Sequence, residues 1–344
     1  MSWQNVRGHE SLVETIRHVI ESGRLPHAFL FVGPEGVGKH TFARKLAQAM
    51  LCERRGEAEL DPCGICPGCV QVSAETHPDL LLVHRPEDKH ELPIQTIREL
   101  CRTLSLKPAR GSHRFAIVAD ADDLNEESSN AFLKTLEEPP PGSVLILIGT
   151  EPEAFLDTIV SRCRVLRFER LSDDDVAAIL LDRNLAESAA EAERMARLSN
   201  GSVRRAIALA DPVLAEFRRG MFEEIASPGG FDAPGLARRV DTFCREAGKE
   251  GVLHRERACV LIGELVGLFR GVLWQTAGLA PPSPDPDDRD AARSLAETCE
   301  PEDVFLLAER CVDAEAQIKR MTNLTLVFES LAHDLDHILS KNIS

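Results

Sequence analysis

The feature that most constrains this chain is a buried strand running straight into a glycine loop and then a helix. Ala28-Phe29-Leu30-Phe31-Val32 is continuously apolar, and Gly33-Pro34-Glu35-Gly36-Val37-Gly38-Lys39-His40-Thr41 follows it without a break. A short apolar run with no polar alternation is what a strand covered on both faces requires, so a parallel α/β sheet is expected. The loop nearly satisfies G-x-x-x-x-G-K-[ST]. In that motif the glycines let successive backbone N–H groups wrap a polyphosphate, the lysine reaches the β- and γ-phosphates, and the hydroxyl holds Mg²⁺. Gly33, Gly36, Gly38 and Lys39 are in place, but His40 stands at the hydroxyl position, with Thr41 after it. Imidazole is a poor ligand for a hard ion that prefers oxygen. The sequence keeps the cradle and loses part of the metal site.

Three more apolar runs have strand character: Leu80 to Val83, Phe115 to Ala119 and Val144 to Ile148. Amphipathic helices are predicted from about Lys39 to Leu51, near 93–104 and over 125–138, the last stopped by Pro139-Pro140-Pro141. From about Ser172 to Ala210 only helical patterns occur, opened by an N-cap serine and the acidic first turn Asp173-Asp174-Asp175. A second helical region begins near Asp211, with a loop at Ser227-Pro228-Gly229-Gly230. The proline- and aspartate-rich stretch around Ala280 to Asp290 reads as flexible, and a strongly amphipathic helix spans about 323–340.

Composition narrows the partners. A formal net charge of −16 argues against a protein that grips DNA by itself, which would carry a basic domain or stripe. Any work on DNA would take place inside an assembly whose other members supply most phosphate contacts. The N-terminus has no apolar signal core and no run approaches the length of a membrane span, so a cytoplasmic protein with no membrane partner is expected. In such a compartment the ten cysteines point to metal and buried thiols rather than disulfides.

Four constellations carry chemistry. Phe115-Ala116-Ile117-Val118-Ala119-Asp120 supplies a strand ending in an aspartate, where a P-loop ATPase holds Mg²⁺ through water. The next residue, which would be the glutamate that polarises the attacking water, is Ala121. Asp122 and Asp123 follow, but a one-residue shift at a strand end points a side chain elsewhere. Cys63, Cys66 and Cys69 sit in a glycine- and proline-rich knuckle, with Cys52 as the fourth ligand and His77 or His84 as its alternatives. Four thiolates in tetrahedral array suit a closed, structural Zn²⁺ site. Ser161-Arg162-Cys163 is either a surface ion pair or an arginine finger for a neighbour's γ-phosphate. Arg204, in Asn200-Gly201-Ser202-Val203-Arg204-Arg205, starts a helix that either faces solvent or turns toward the nucleotide.

Together these residues resemble the AAA+ clamp-loader subunits of bacterial DNA polymerase III. The likeness runs along essentially the whole chain. His27-Ala28-Phe29-Leu30-Phe31, the four cysteines, Asn130 to Pro140 (NAFLKTLEEPP), Ser161-Arg162-Cys163, Gly201-Ser202-Val203-Arg204 and Asn323 to Glu329 match the family's motifs in order. The resemblance implies a RecA-like α/β domain over 1–168 with a zinc module at about 52–69, a helical lid over 169–211 and an all-helical collar over 212–344. It also implies a place in a ring with gamma/tau motor and delta subunits that loads a sliding clamp onto primed DNA. Motors keep the P-loop hydroxyl and the glutamate after the strand-end aspartate. His40 and Ala121 therefore favour the family's stator, in which Arg162 serves a neighbour's ATP and the chain's own hydrolysis of ATP is absent or weak. An ATP-hydrolysing motor is the alternative.

Overall fold

The computed structural model describes residues 3, 6–23, 25–86, 89, 91–227, 229–279 and 288–341. Two compact units meet at the bond between Arg204 and Arg205. The first is built on five strands, β1 (Ala28–Val32), β2 (Leu80–Val83), β3 (Arg114–Val118), β4 (Ser143–Ile148) and β5 (Arg164–Arg167). They lie in the order β2-β3-β4-β1-β5, and every pairing is parallel. Phe29 is in register with Ile146 on one side and Arg164 on the other.

Helices cover both faces of this sheet: α1 (Glu10–Glu21), α2 (Lys39–Met50), α3 (Pro67–Ser73), α4 (Ile94–Leu104), α5 (Glu126–Glu137) and α6 (Asp157–Val160). Alternation along the strands divides the apolar side chains between two cores. Phe29, Phe31, Phe115 and Ile146 pack with Phe42 and Leu46 of α2. Leu30, Val32, Val118 and Leu147 pack with Ile97 of α4 and Phe132 and Leu136 of α5. The edge strand β5 was not among the apolar runs expected to form strands. Of its four residues only Leu166 is buried, so the segment carries no apolar signature and is a strand only because β1 offers it a partner. After it come α7 (Asp173–Asp182), whose N-cap Ser172 accepts a hydrogen bond from the Asp175 N–H at 3.1 Å, then α8 (Ala189–Ser199) and α9 (Val203–Leu209).

A buried ion pair fixes the end of the sheet remote from the glycine loop. Asp79, immediately before β2, accepts hydrogen bonds from Arg114 Nε and Nη2 at 3.1 and 2.9 Å, and from the N–H groups of Ala109 and Arg110 at 2.7 Å each. Burial pushes the Asp79 carboxyl up, but those two N–H groups and the Arg114 guanidinium outweigh it and hold the carboxyl below its usual range.

The second unit is helical: α10 (Pro212–Ile225), α11 (Ala233–Arg245), α12 (Gly251–Thr276), α13 (Arg289–Thr298), α14 (Pro301–Lys319) and α15 (Leu324–Ser340) share one apolar core. Glu264 of α12 is buried in an ionic cluster with Arg205, with Arg218 of α10 at 3.3 Å, and through Arg218 with Asp288 at 2.8 Å. By length and a mean hydropathy of 1.4, α12 is long and apolar enough to cross a membrane, contrary to the expectation that no run approaches that length. Its Leu261, Ile262, Leu265, Leu268 and Phe269 instead form the middle of this core. Of the stretch read as flexible, residues 280–287 lie outside the described residues, while Arg289 and Asp290 already belong to α13.

Removing one partner of a buried pair leaves the other charge uncompensated, so Asp79→Asn should cost about 3–5 kcal/mol at pH 7 in chemical denaturation. Because the folded carboxyl lies below its unfolded value of about 3.9, its contribution is present above that pH and is lost as pH falls through the folded value. The gap between wild type and variant should therefore close in acid. A gap that persists unchanged well below pH 4 would contradict this account.

Candidate functional site

Strand β1 ends under the glycine loop, at the carboxyl edge of the parallel strands, where open α/β sheets form their ligand crevices. Gly33, Gly36 and Gly38 take φ of +147°, +75° and +102°. At Gly36 the need for glycine is also steric. A Cβ there would lie 2.1 Å from Ser202 Oγ and 2.9 Å from Arg204 Cβ. The Val203 N–H donates to Gly36 O at 3.0 Å, so the first turn of α9 sits against the loop. Arg204 is thus brought beside the glycines rather than left on a remote helix.

Gly38 is the N-cap of α2, and no side chain caps the helix, which leaves its first N–H groups directed at the loop. Lys39 is buried. Its ammonium donates to Gly33 O and, at 2.7 Å, to Pro34 O. Burial lowers the Lys39 pKa, partly opposed by Glu35 and Asp122.

The side of the loop that would hold a metal is different in kind. The Nε2 of His40 is buried without a hydrogen-bond partner, and its ring centroid is 5.6 Å from that of His84. Burial, then the neighbouring His84 and Arg44, hold the His40 pKa below its ordinary value, so the ring is neutral at physiological pH. Thr41 is exposed on the next position of the helix. Asp120 has a left-handed φ of +52° and accepts from the Arg85 N–H at 3.5 Å. Ala121, buried, follows it.

Residues 121–123 form a tight 3₁₀ turn rather than a strand continuation. Strand alternation therefore does not govern where Asp122 points, and the expectation that it points away from the site is corrected. Its carboxylate accepts the Thr150 N–H at 2.8 Å, joining the ends of β3 and β4, and it interacts electrostatically with Lys39. Burial raises the Asp122 pKa to about 6, against the hydrogen bonds from Thr150. Asp123 pairs with Arg85 at 2.6 Å.

The four thiols of Cys52, Cys63, Cys66 and Cys69 lie within 4.8 Å of one another. The knuckle closes because α3 starts inside it, with Pro67 in its first turn and Cys66 as N-cap. Gly68 lets it approach α2, since a Cβ there would meet Leu51 O at 2.5 Å. Backbone N–H groups of Cys63, Cys66 and Cys69 donate to the sulfurs of Cys52, Cys63 and Cys66 at 3.4–3.5 Å. Cys63 is lowered to about 6, chiefly by the Ile65 N–H. Burial raises Cys52, but N–H groups from Cys63, Arg54 and Arg55 outweigh it and the net shift is downward; burial drives Cys69 up.

The donor set fits a tetrahedral metal. Zinc–sulfur bonds of about 2.3 Å separate the sulfurs by about 3.8 Å, and Cys63 and Cys69 stand 3.9 Å apart. The four-thiol group includes neither His77, whose Nδ1 accepts the Asp79 N–H at 3.1 Å, nor His84, which lies beside His40.

Arg162 follows α6, and its hydrogen-bond partners Glu137, Thr158 and Ser161 lie outside the glycine loop. Its Nη2 donates to Glu137 Oε1 at 2.8 Å and its Nη1 to Thr158 O at 2.9 Å. The side chain is 35% exposed.

Residues 8–172 match the protein family described as DNA polymerase III, delta subunit. That match covers just under half of the chain, which is similar to this family there. It is 29% identical over 280 residues to the DNA polymerase III subunit tau of Escherichia coli, covering 80% of this chain and 41% of that protein. It is 32% identical over 209 residues to subunit delta' of Bacillus subtilis, covering 57% of this chain and 62% of the relative. The corresponding subunit delta' of Pseudomonas aeruginosa is 34% identical over 177 residues, with 51% and 53% covered. The chain thus spans less than two thirds of the length of these relatives.

Three contacts were not anticipated from sequence: Asp122 with Thr150, Glu137 with Arg162, and His27 with the end of α5. In the last, the His27 Nε2–H donates to Leu136 O at 3.1 Å and ties a helix C-terminus to the approach of β1. The spacing of loop residues gives no sign of them. The one available signal was two acidic residues, Glu137 and Glu138, at a helix C-terminus, where the macrodipole disfavours them.

Metal binding at the four-cysteine cluster is directly testable. The purified chain should contain about one metal equivalent, and Cys69→Ser should lose it and loosen the knuckle, read as faster proteolysis around residues 52–69. Full metal retention in that variant would remove Cys69 from the ligand set.

Proposed function

We propose that this chain is a stator subunit of the delta-prime kind in a bacterial DNA polymerase III clamp loader. The observation that carries the reading is the metal side of the glycine loop. His40, neutral and lacking an oxygen ligand, occupies the hydroxyl position, and the buried Ala121 occupies the position of the glutamate. The two nearby acids do not restore a water-polarising base freely, because Asp122 is held by the Thr150 N–H and Asp123 by Arg85. The loop retains a backbone cradle for ATP or ADP, in which Lys39 would exchange two carbonyl partners for phosphate oxygens. Its own hydrolysis is absent or weak.

The catalytic contribution is made in trans. Arg162 reaches a motor neighbour's ATP and stabilises charge developing on the transferring phosphoryl group. The chain divides into an α/β domain over 1–168, a helical lid over 169–211 with Arg204 facing the nucleotide, and a collar over 212–344 that joins the ring. Zinc fills the four-cysteine site and holds the knuckle's shape. The partners are gamma/tau motor and delta subunits, with the sliding clamp and primed DNA engaged through the assembly in the cytoplasm. The acidic net charge fits a subunit whose neighbours supply most phosphate contacts.

A motor subunit is the second reading, favoured by the likeness to subunit tau and by the position of Asp122 near Lys39. Purified protein assayed with ATP, DNA and clamp separates the two. The stator reading expects negligible turnover alone. Robust turnover abolished by Lys39→Ala would establish the motor instead.

In an assembly reconstituted with motor and delta subunits, Arg162→Ala should leave ring assembly intact while lowering hydrolysis at the site it serves by about 10³-fold. Elemental analysis should identify the bound metal as zinc; iron or an empty site would defeat that assignment.

A further inference from the structure

We propose that Glu137 is a positioning residue for Arg162, a displaceable carboxylate that holds the guanidinium folded until a neighbouring subunit's nucleotide phosphate replaces it. The inference rests on the reading of Arg162 as a residue acting in trans. The geometry is that of a one-for-one exchange. Nη2 of Arg162 is engaged by one anionic oxygen, Glu137 Oε1 at 2.8 Å, while Nη1 is steadied by Thr158 O at 2.9 Å. A phosphate oxygen offers the same charge and the same acceptor geometry as the carboxylate oxygen it would displace, since arginine's planar fork suits both. The backbone contact to Thr158 can persist through the exchange and keep the fork aimed.

Two independent features indicate that Glu137 is placed for Arg162 rather than for the helix that bears it. Glu137 is in the last turn of α5, with Glu138 as C-cap, and carboxylates at a helix C-terminus oppose the macrodipole. The end of that helix is also fixed from outside. His27 donates to Leu136 O, the carbonyl immediately before Glu137, and Pro139-Pro140-Pro141 prevents the helix from continuing. His27 adjoins β1, the strand that feeds the glycine loop, so the carboxylate is held in register with the sheet rather than on a mobile loop.

Exposure sets the strength. The side chains of Arg162 and Glu137 are 35% and 52% exposed, so water competes for both and the pair is weak enough to be displaced. It is still oriented enough to keep the guanidinium out of random rotamers and to limit its approach to anions before assembly.

The test uses the full chain in two settings. In the reconstituted assembly, Glu137→Gln should raise kcat/KM for ATP by about two- to fivefold, the range expected when a weak exposed competitor is removed. The gain should shrink at high salt and vanish in an Arg162→Ala background. A merely structural role would move kcat/KM in the opposite direction.

In the isolated chain, labelling of Arg162 by phenylglyoxal, followed by peptide mass spectrometry, should be faster in Glu137→Gln than in wild type. Unchanged or reduced kcat/KM with unchanged labelling, while Arg162→Ala still depresses turnover, would overturn the role of Glu137 alone. An Arg162→Ala assembly with wild-type turnover would instead overturn the trans-acting reading on which the proposal rests.

Discussion

Strand β1 is the constraint on which the first unit depends. It is hydrogen-bonded on both edges, to β4 and β5, and every one of its five residues is buried. Its backbone must therefore be satisfied by neighbours in register, and its side chains must fill two cores at once. Phe29 and Phe31 go to one core, Ala28, Leu30 and Val32 to the other. Everything functional is hung from its ends. The glycine loop emerges at its carboxyl end, and His27, just before its first residue, fastens α5 and with it the surface that bears Glu137 and Arg162. At the opposite edge of the sheet, the Asp79–Arg114 pair holds β2 and β3 together.

The loop and the arginine are chemically complementary. The loop keeps what backbone alone supplies: open N–H groups at the start of α2 and left-handed glycines. It has lost what side-chain oxygens supply, because His40 presents a neutral ring beside His84 and Ala121 presents a methyl group. Such a site can bind an anion without doing metal-assisted chemistry on it. Arg162 is the reverse, a charge near the surface with no nucleotide cradle around it. A subunit built this way gains a catalytic role only from a neighbour, which is the physical content of the stator reading. The acidic clusters around the loop serve the fold: Asp122 joins two strand ends, and Asp123 neutralises Arg85.

Much of this could be read from residues alone. The strands β1 to β4 and helices α2, α4, α5 and α15 fall within a residue or two of where apolar period, caps and prolines put them. Asn125 and Asn323 cap α5 and α15 through their side chains because asparagine in that position can accept an N–H that the helix leaves unpaired. The cysteine spacing picked out the four thiols that the fold gathers, and Cys52 rather than either histidine completes the group. The edge strand β5 was missed because two of its four residues are arginines and its pairing is supplied wholly by β1. Asp122 was misplaced because the chain leaves β3 in a 3₁₀ turn, where the two-residue alternation of a strand no longer applies.

The sequence by itself determined the local chemistry. Glycine suits the positive φ and close approach of the loop, four thiols can close a tetrahedral metal site, and a histidine or alanine cannot supply a missing oxygen ligand. Those are properties of residue types at given spacings, and no fold can change them. Tertiary structure alone decided which groups meet. It brought Ser202 and Arg204 against Gly36, Thr150 to Asp122, and Glu137 to Arg162 across 166, 168, 28 and 25 positions of sequence. Contacts at such separations carry no periodic signal. They exist because strand order and helix packing, fixed by the two cores, leave those backbones nowhere else to go.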